Sequence, residues 1–132
     1  MPLINLRIAA APDRELAARA AAIVHRHAVE LLGKQPELIA VAVDFVDPAT
    51  WFIAGQSLAM RGRPSFQLEI KVTDETNTKA EKARFIEAVF DSFETLFGPL
   101  DEESYIHVHD VRAASYGYGG RTQEWRYHQR RG

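Results

Sequence analysis

Apolar and polar residues alternate along Leu3-Ile4-Asn5-Leu6-Arg7-Ile8, the period of two that marks a strand covered on one face. Pro12-Asp13 follows, a helix start in which Asp13 caps the free N–H groups of the first turn. Leu16, Ala20, Ile23, Val24, His27 and Leu31 then recur at three- and four-residue intervals, which predicts a helix to about Leu32 with these residues on its buried face, ended by Gly33. Pro36-Glu37 leads into a strand from Leu38 to Val46 that is almost continuously apolar. Such a strand is covered on both faces, here by helices on one and by a partner subunit on the other.

The same order of patterns returns. Phe66, Leu68 and Ile70 alternate with Gln67, Glu69 and Lys71; Thr78 to Glu81 matches a capping box; Ile86, Val89, Phe90, Phe93, Leu96 and Phe97 make a helical stripe stopped by Gly98-Pro99; and Tyr105 to Val111 reads as the last strand. The Gly-rich segment Tyr116-Gly117-Tyr118-Gly119-Gly120 predicts a turn or short hairpin with positive φ.

Placing Pro64 on Pro2 pairs Gln67 with Asn5, Leu68 with Leu6 and Ile70 with Ile8. Placing Ile106 on Val41 pairs Val108 with Val43, Val111 with Val46 and Gly120 with Gly55. These matches argue for an internal duplication. One domain over 1–132 results, with half-repeats of about 2–60 and 64–120 and a tail at 121–132. Its predicted class is α+β: a duplicated β-α-β unit forming a four-stranded mixed sheet, with two helices on one face and the other face left for a partner.

Composition narrows the function. At 132 residues and a formal net charge of −2, no general attraction to nucleic acid or an anionic membrane is indicated, and the short basic run Arg126-Tyr127-His128-Gln129-Arg130-Arg131 does not reverse that. With no cysteine, disulfides, thiolate nucleophiles and thiolate metal sites are excluded. Arg7, Asp13, Arg14 and Glu15 interrupt the first apolar segment, and no apolar run reaches membrane-spanning length, so a cytoplasmic protein is expected.

Pro2 stands directly behind Met1 at the head of the first strand. If Met1 is removed, Pro2 becomes a secondary amine with an unperturbed α-amino pKa of roughly 7.7 to 8.0, which modest desolvation leaves largely neutral and basic. The alternative is an edge-strand proline whose missing N–H costs nothing. His107 and His109 alternate on one strand face, too small a set to specify a metal. Trp51 and Phe52 follow Pro48 at the mouth of the site, where they line an apolar pocket or pack between subunits. Arg61 and Arg63 flank Gly62 between the halves and either close over a carboxylate or are solvated. Arg112 lies opposite Asp47 in the repeat alignment and pairs with a substrate or with an acid. The glycines at 117, 119 and 120 lack the context of a phosphate loop, so no nucleotide site is expected.

Pro2, the doubled β-α-β unit and the aromatic-glycine ends of both halves together resemble the tautomerase superfamily, specifically its fused two-unit members, over nearly all of the chain up to Gly120. That family includes 4-oxalocrotonate tautomerase, malonate semialdehyde decarboxylase and cis-3-chloroacrylic acid dehalogenase. The resemblance implies a homotrimer and a catalytic amino-terminal proline, Pro2, that shuttles a proton without cofactor or metal. It implies a small carboxylate-bearing substrate, a 2-oxo acid or its enol. Fused relatives hold that carboxylate with two arginines after the first strand of the second unit, where this chain has Lys71 and Asp74. Lys71 with Arg61, Arg63 or Arg112 is the expected substitute. Trp51, with Tyr116 or Tyr118 as counterparts, matches the aromatic wall, and His109 falls at a substrate-facing tyrosine of the dehalogenase. No carboxylate matches that enzyme's water-activating glutamate, which favours an isomerase. The competing expectation is a non-catalytic oligomerising or ligand-binding module of the same fold, or a related decarboxylase or dehalogenase.

Overall fold

A computed structural model describes residues 2–131, with Arg130 and Arg131 described in backbone only. Strand β1 (Leu3–Ala9) is followed by helix α1 (Arg14–Leu32), β2 (Ala40–Val46), a small hairpin of β3 (Phe52–Ile53) and β4 (Gln56–Ser57), and the short α2 (Leu58–Arg61). The series then repeats as β5 (Phe66–Thr73), α3 (Lys79–Phe97), β6 (Tyr105–Val111), a hairpin of β7 (Gly117–Tyr118) and β8 (Arg121–Thr122), and α4 (Gln123–Arg131). The large sheet runs β2-β1-β5-β6, with parallel outer pairs and an antiparallel join between β1 and β5. This is the duplicated, mixed four-stranded arrangement that the periodicity predicts.

The helix starts form as their sequences require. Asp13 accepts the Leu16 N–H at 3.1 Å. Thr78 accepts from Glu81 N–H while Glu81 accepts from Thr78 N–H at 2.7 Å, a complete capping box that holds the Glu81 carboxyl below its usual pKa. Gly33 ends α1 in the left-handed region with φ 67°.

Both long helices lie on one face of the sheet. Ile4, Leu6, Ile8, Phe66, Leu68, Ile70 and Val72 meet Ala20, Val24, Ala28 and Leu32 of α1 and Phe85, Val89 and Phe93 of α3. Small residues on α1 oppose large ones on α3, so the layers interdigitate, and the Phe93 ring meets Phe66 edge-on at 4.7 Å. The buried stripes are turned from those expected. Phe85 rather than Ile86 enters the core, Ile86 being 39% exposed, and Leu16, His27 and Leu31 are only half-buried. A second difference concerns β2, which starts at Ala40 because Pro36–Leu38 closes into a 3-10 turn.

The register also revises the repeat alignment. Ala40 and Tyr105 are equivalent, β1 pairs Leu3 with Ala40, and β5 pairs Gln67 with Tyr105. Leu3 therefore corresponds to Gln67, and Pro2 to Phe66, not to Pro64. The second unit also runs on past Gly120. Ser57 accepts from Met60 N–H and Thr122 accepts from Trp125 N–H, the same cap at the same place in each unit. Residues 121–131 are thus the counterpart of β4 and α2 rather than a tail. Among the described residues no helix is long and apolar enough to cross a membrane.

Candidate functional site

The start of β1 is enclosed. Pro2 is fully buried, and its carbonyl accepts the Ala40 N–H at 3.1 Å. Leu3 lies opposite Lys71, and Lys71 lies opposite His109, so the first residues of β1 share one end of the sheet with Lys71, His109 and the chain that follows. Continuing the antiparallel register sets Pro2 beside Val72. Met1, on whose removal a free Pro2 amine depends, lies outside the described residues. Arg112, just past Val111, is exposed at this same end, and Tyr118 stands in the adjoining hairpin.

A cavity of about 410 Å³ occupies this end, lined chiefly by Thr73, Asp74, Gln123, Arg126 and Tyr127. Its volume falls within the range of small-molecule pockets. Tyr116 and Thr73 share a hydrogen bond of 2.6 Å beside it, and burial raises the Tyr116 hydroxyl pKa. The Arg126 guanidinium lies over the Tyr118 ring at 3.9 Å and donates from Nη2 to the Tyr118 carbonyl at 2.9 Å. The Arg126 Nε and the Gln123 Oε1 are buried without a hydrogen-bond partner. Sequence reasoning missed both residues. The signal that could have found them is the repeat alignment carried past Gly120, which sets Arg126 on Arg61 and Gln123 on Leu58.

Trp51, Arg61 and Arg63 sit elsewhere. Trp51 packs with Ala9 and Leu58 at the opposite end of β1, about 23 Å from Pro2 at the usual rise per strand residue. Arg61 Nε donates to Asp101 at 2.8 Å, and Arg63 reaches the Leu100 carbonyl at 3.5 Å. The Arg61 contact holds the Asp101 carboxyl below its usual pKa despite burial. Within one copy these three residues do not join Pro2; they line another cavity, of about 540 Å³, or the connection beside it.

The sheet face away from the helices is polar. Asp44, Arg7 and Gln67 lie in one row, and Asn5, Glu69 and His107 in the next. His107 and His109 stack with ring centroids 3.6 Å apart, Lys71 approaches Glu69 at 3.9 Å, and His109 Nε2 is buried without a partner. Burial, followed by the neighbouring His107, lowers the His109 pKa. Among the described residues no three metal-ligating side chains cluster.

This doubled β-α-β architecture is the fold that solved fused 4-OT structures share. The chain is similar over nearly its whole length to Pt0534 inactivated by 2-oxo-3-pentynoate, with 15% identity, TM-score 0.81, and coverage of 94% of this chain and 98% of that one. It is similar to a wild-type fused 4-OT symmetric trimer at 15% identity and TM-score 0.78, covering 92% and 96% of the two chains. Likewise it matches FG41 malonate semialdehyde decarboxylase inhibited by 3-bromopropiolate, at 17% identity and TM-score 0.74, covering 96% of each. No protein-family model matches the sequence, and no curated protein does so significantly.

Proposed function

We propose that the protein is a cofactor-independent tautomerase that interconverts the enol and keto forms of a small 2-oxo acid, with the amine of Pro2 as general base after loss of Met1. The observation that carries this reading is the burial of Pro2 at the head of β1 in a fused tautomerase fold. Burial disfavours the charged amine and so favours the base. The Pro2 nitrogen accepts the enol O–H proton of the substrate and returns it to the adjacent carbon, leaving the ketone and regenerating the free amine. Lys71 or Arg112 steadies the substrate carboxylate at this end, and His109, whose lowered pKa keeps it neutral near pH 7, hydrogen-bonds the oxygen that gains charge. That a similar structure is inactivated by 2-oxo-3-pentynoate supports a 2-oxo acid as substrate class.

The fused 4-OT trimer supports a trimer here, and the polar sheet face is the surface available for it. In such an assembly Trp51, Arg61 and Arg63 reach Pro2 only from a neighbouring copy. The compartment proposed is the cytoplasm. A specific observation favours a second reading: Asp74, not an arginine, follows β5, as expected if the module binds without turnover. Met-free protein is assayed with the enol of phenylpyruvate beside its Pro2→Ala variant. The proposal expects at least a ~10²-fold fall in kcat/KM, the low end of general-base effects. Equal rates sink it in favour of the binding module.

A further inference from the structure

The two units differ at one equivalent position in a way that points to a ligand. In the first, Arg61 is neutralised by Asp101 at 2.8 Å, and Leu58 completes an apolar cluster with Trp51 and Ala9. The internal symmetry sets Arg126 on Arg61, Gln123 on Leu58, Tyr116 on Trp51 and Thr73 on Ala9. Backbone contacts confirm the match, since Leu58 N–H donates to the Trp51 carbonyl and Gln123 N–H to the Tyr116 carbonyl, each at 2.9 Å. By the same symmetry the acid answering Arg126 belongs at the position of Pro36, which carries none. Among the described residues no carboxylate lies within ion-pair distance of Arg126, while the Tyr118 ring and carbonyl hold its guanidinium in place.

We propose that Arg126 and Gln123 form the substrate's anchoring site, with Arg126 taking a carboxylate and Gln123 the hydroxyl beside it. Both residues, three apart on α4, line the same cavity of about 410 Å³, and each carries a buried polar atom without a partner: a donor on Arg126 and an acceptor on Gln123. A ligand that satisfies both supplies an anionic acceptor and an adjacent O–H, which describes a 2-hydroxy acid or the enol of a 2-oxo acid. The guanidinium fork suits a carboxylate better than the point charge of Lys71. Asp74 and Glu75, exposed on the cavity rim, oppose a second negative charge, so the ligand carries one carboxylate. This assignment rests on reading the Pro2 end as the active site, and it replaces Lys71 as the principal anchor.

Calorimetric titration with 3-phenyllactate and with 3-phenylpropionate, which lacks the hydroxyl, tests it without requiring turnover. Wild-type protein is expected to bind phenyllactate at least about tenfold more tightly, since an unmet buried acceptor penalises the analogue that lacks the donor. Arg126→Met is expected to weaken both probes at least about tenfold, with Arg126→Lys recovering part of the loss. Gln123→Leu is expected to erase the difference between the probes. Thermal unfolding of each variant verifies the fold. Indifference of binding to Arg126→Met, or no saturable binding by the wild type, overturns the proposal. Arg126-dependent binding without Pro2-dependent turnover upholds the anchor while removing the tautomerase reading; Pro2-dependent turnover with Arg126-independent binding does the reverse.

Discussion

The two units carry nearly the same elements in the same order, yet their closing segments have gone separate ways. In the first, α2 spans Leu58–Arg61, its arginine is bound to a buried acid, and Leu58 is packed against Trp51 and Ala9, although Trp51 and Arg61 also border a cavity of about 540 Å³. In the second, α4 spans Gln123–Arg131, Gln123 lines a cavity, and among the described residues no carboxylate lies within ion-pair distance of the matching arginine. A motif written twice needs only one copy to hold the fold. Apolar filling and an internal ion pair fix one end of the sheet, which leaves the other end free to keep polar groups unsatisfied until something binds.

The contrast breaks most sharply at the ion pair. Asp101→Asn strands the Arg61 charge in a largely buried setting, and urea denaturation is expected to show a loss of about 3 kcal/mol, the low end for breaking such pairs because Arg61 keeps partial contact with solvent. Arg126→Met, at the equivalent position, is expected to cost less than about 1 kcal/mol. Comparable losses in the two variants would mean that Arg126 is structural after all.

The packing beneath the helices sharpens the comparison with a somewhat smaller effect. Leu58→Ala opens a cavity against Trp51 and is expected to cost 2 to 3 kcal/mol, roughly the lower part of the range for buried leucine. Its mirror, Gln123→Leu, removes an unmet acceptor and is expected to leave the melting temperature unchanged or raise it by a few degrees.

The smallest effect concerns the place where the units touch. His27 of α1 and Ser92 of α3 occupy equivalent positions and meet at 2.8 Å, and burial, then Arg26, lowers the His27 pKa. The unfolded chain therefore binds the extra proton more readily than the folded one, and stability is lost as pH falls below about 6.5. Replacing His27 with Gln is expected to flatten the fall in melting temperature between pH 7 and 5. An unchanged slope would assign it to His109, whose pKa is lowered in the same direction.

Local chemistry made much of the fold readable in advance. Asp13, the Thr78 and Glu81 pair, Gly33 and the alternation through β5 each act within a few residues, and each appears as expected. The alignment of Pro2 with Pro64 failed because a slip of two residues along a strand leaves every side chain on its original face, so an alternating pattern cannot detect it. Only the pairing of β1 with β2 and of β5 with β6 reveals Phe66 as the counterpart. Phe85 displaced Ile86 for a related reason: neighbouring residues on a helix differ by about 100°, and the facing strand decides which turns inward. Pro2, Lys71 and His109 share one end of the sheet, which the strand register alone reveals. Arg126 stayed hidden because its significance lies in an acid that is missing at residue 36, far away in the chain.

The correspondence of Pro2 with Phe66 has a consequence for stoichiometry. Ser65 precedes Phe66 through an ordinary peptide bond, is fully buried, and donates its hydroxyl to the Glu103 carbonyl at 2.9 Å. Joining two units into one chain thus turns one of two beginnings into a sealed seam. Any chemistry that needs an amine at the head of such a strand has a valency of one per chain, half that of the same scaffold assembled from separate units, and the silent end can drift in sequence without cost to that chemistry.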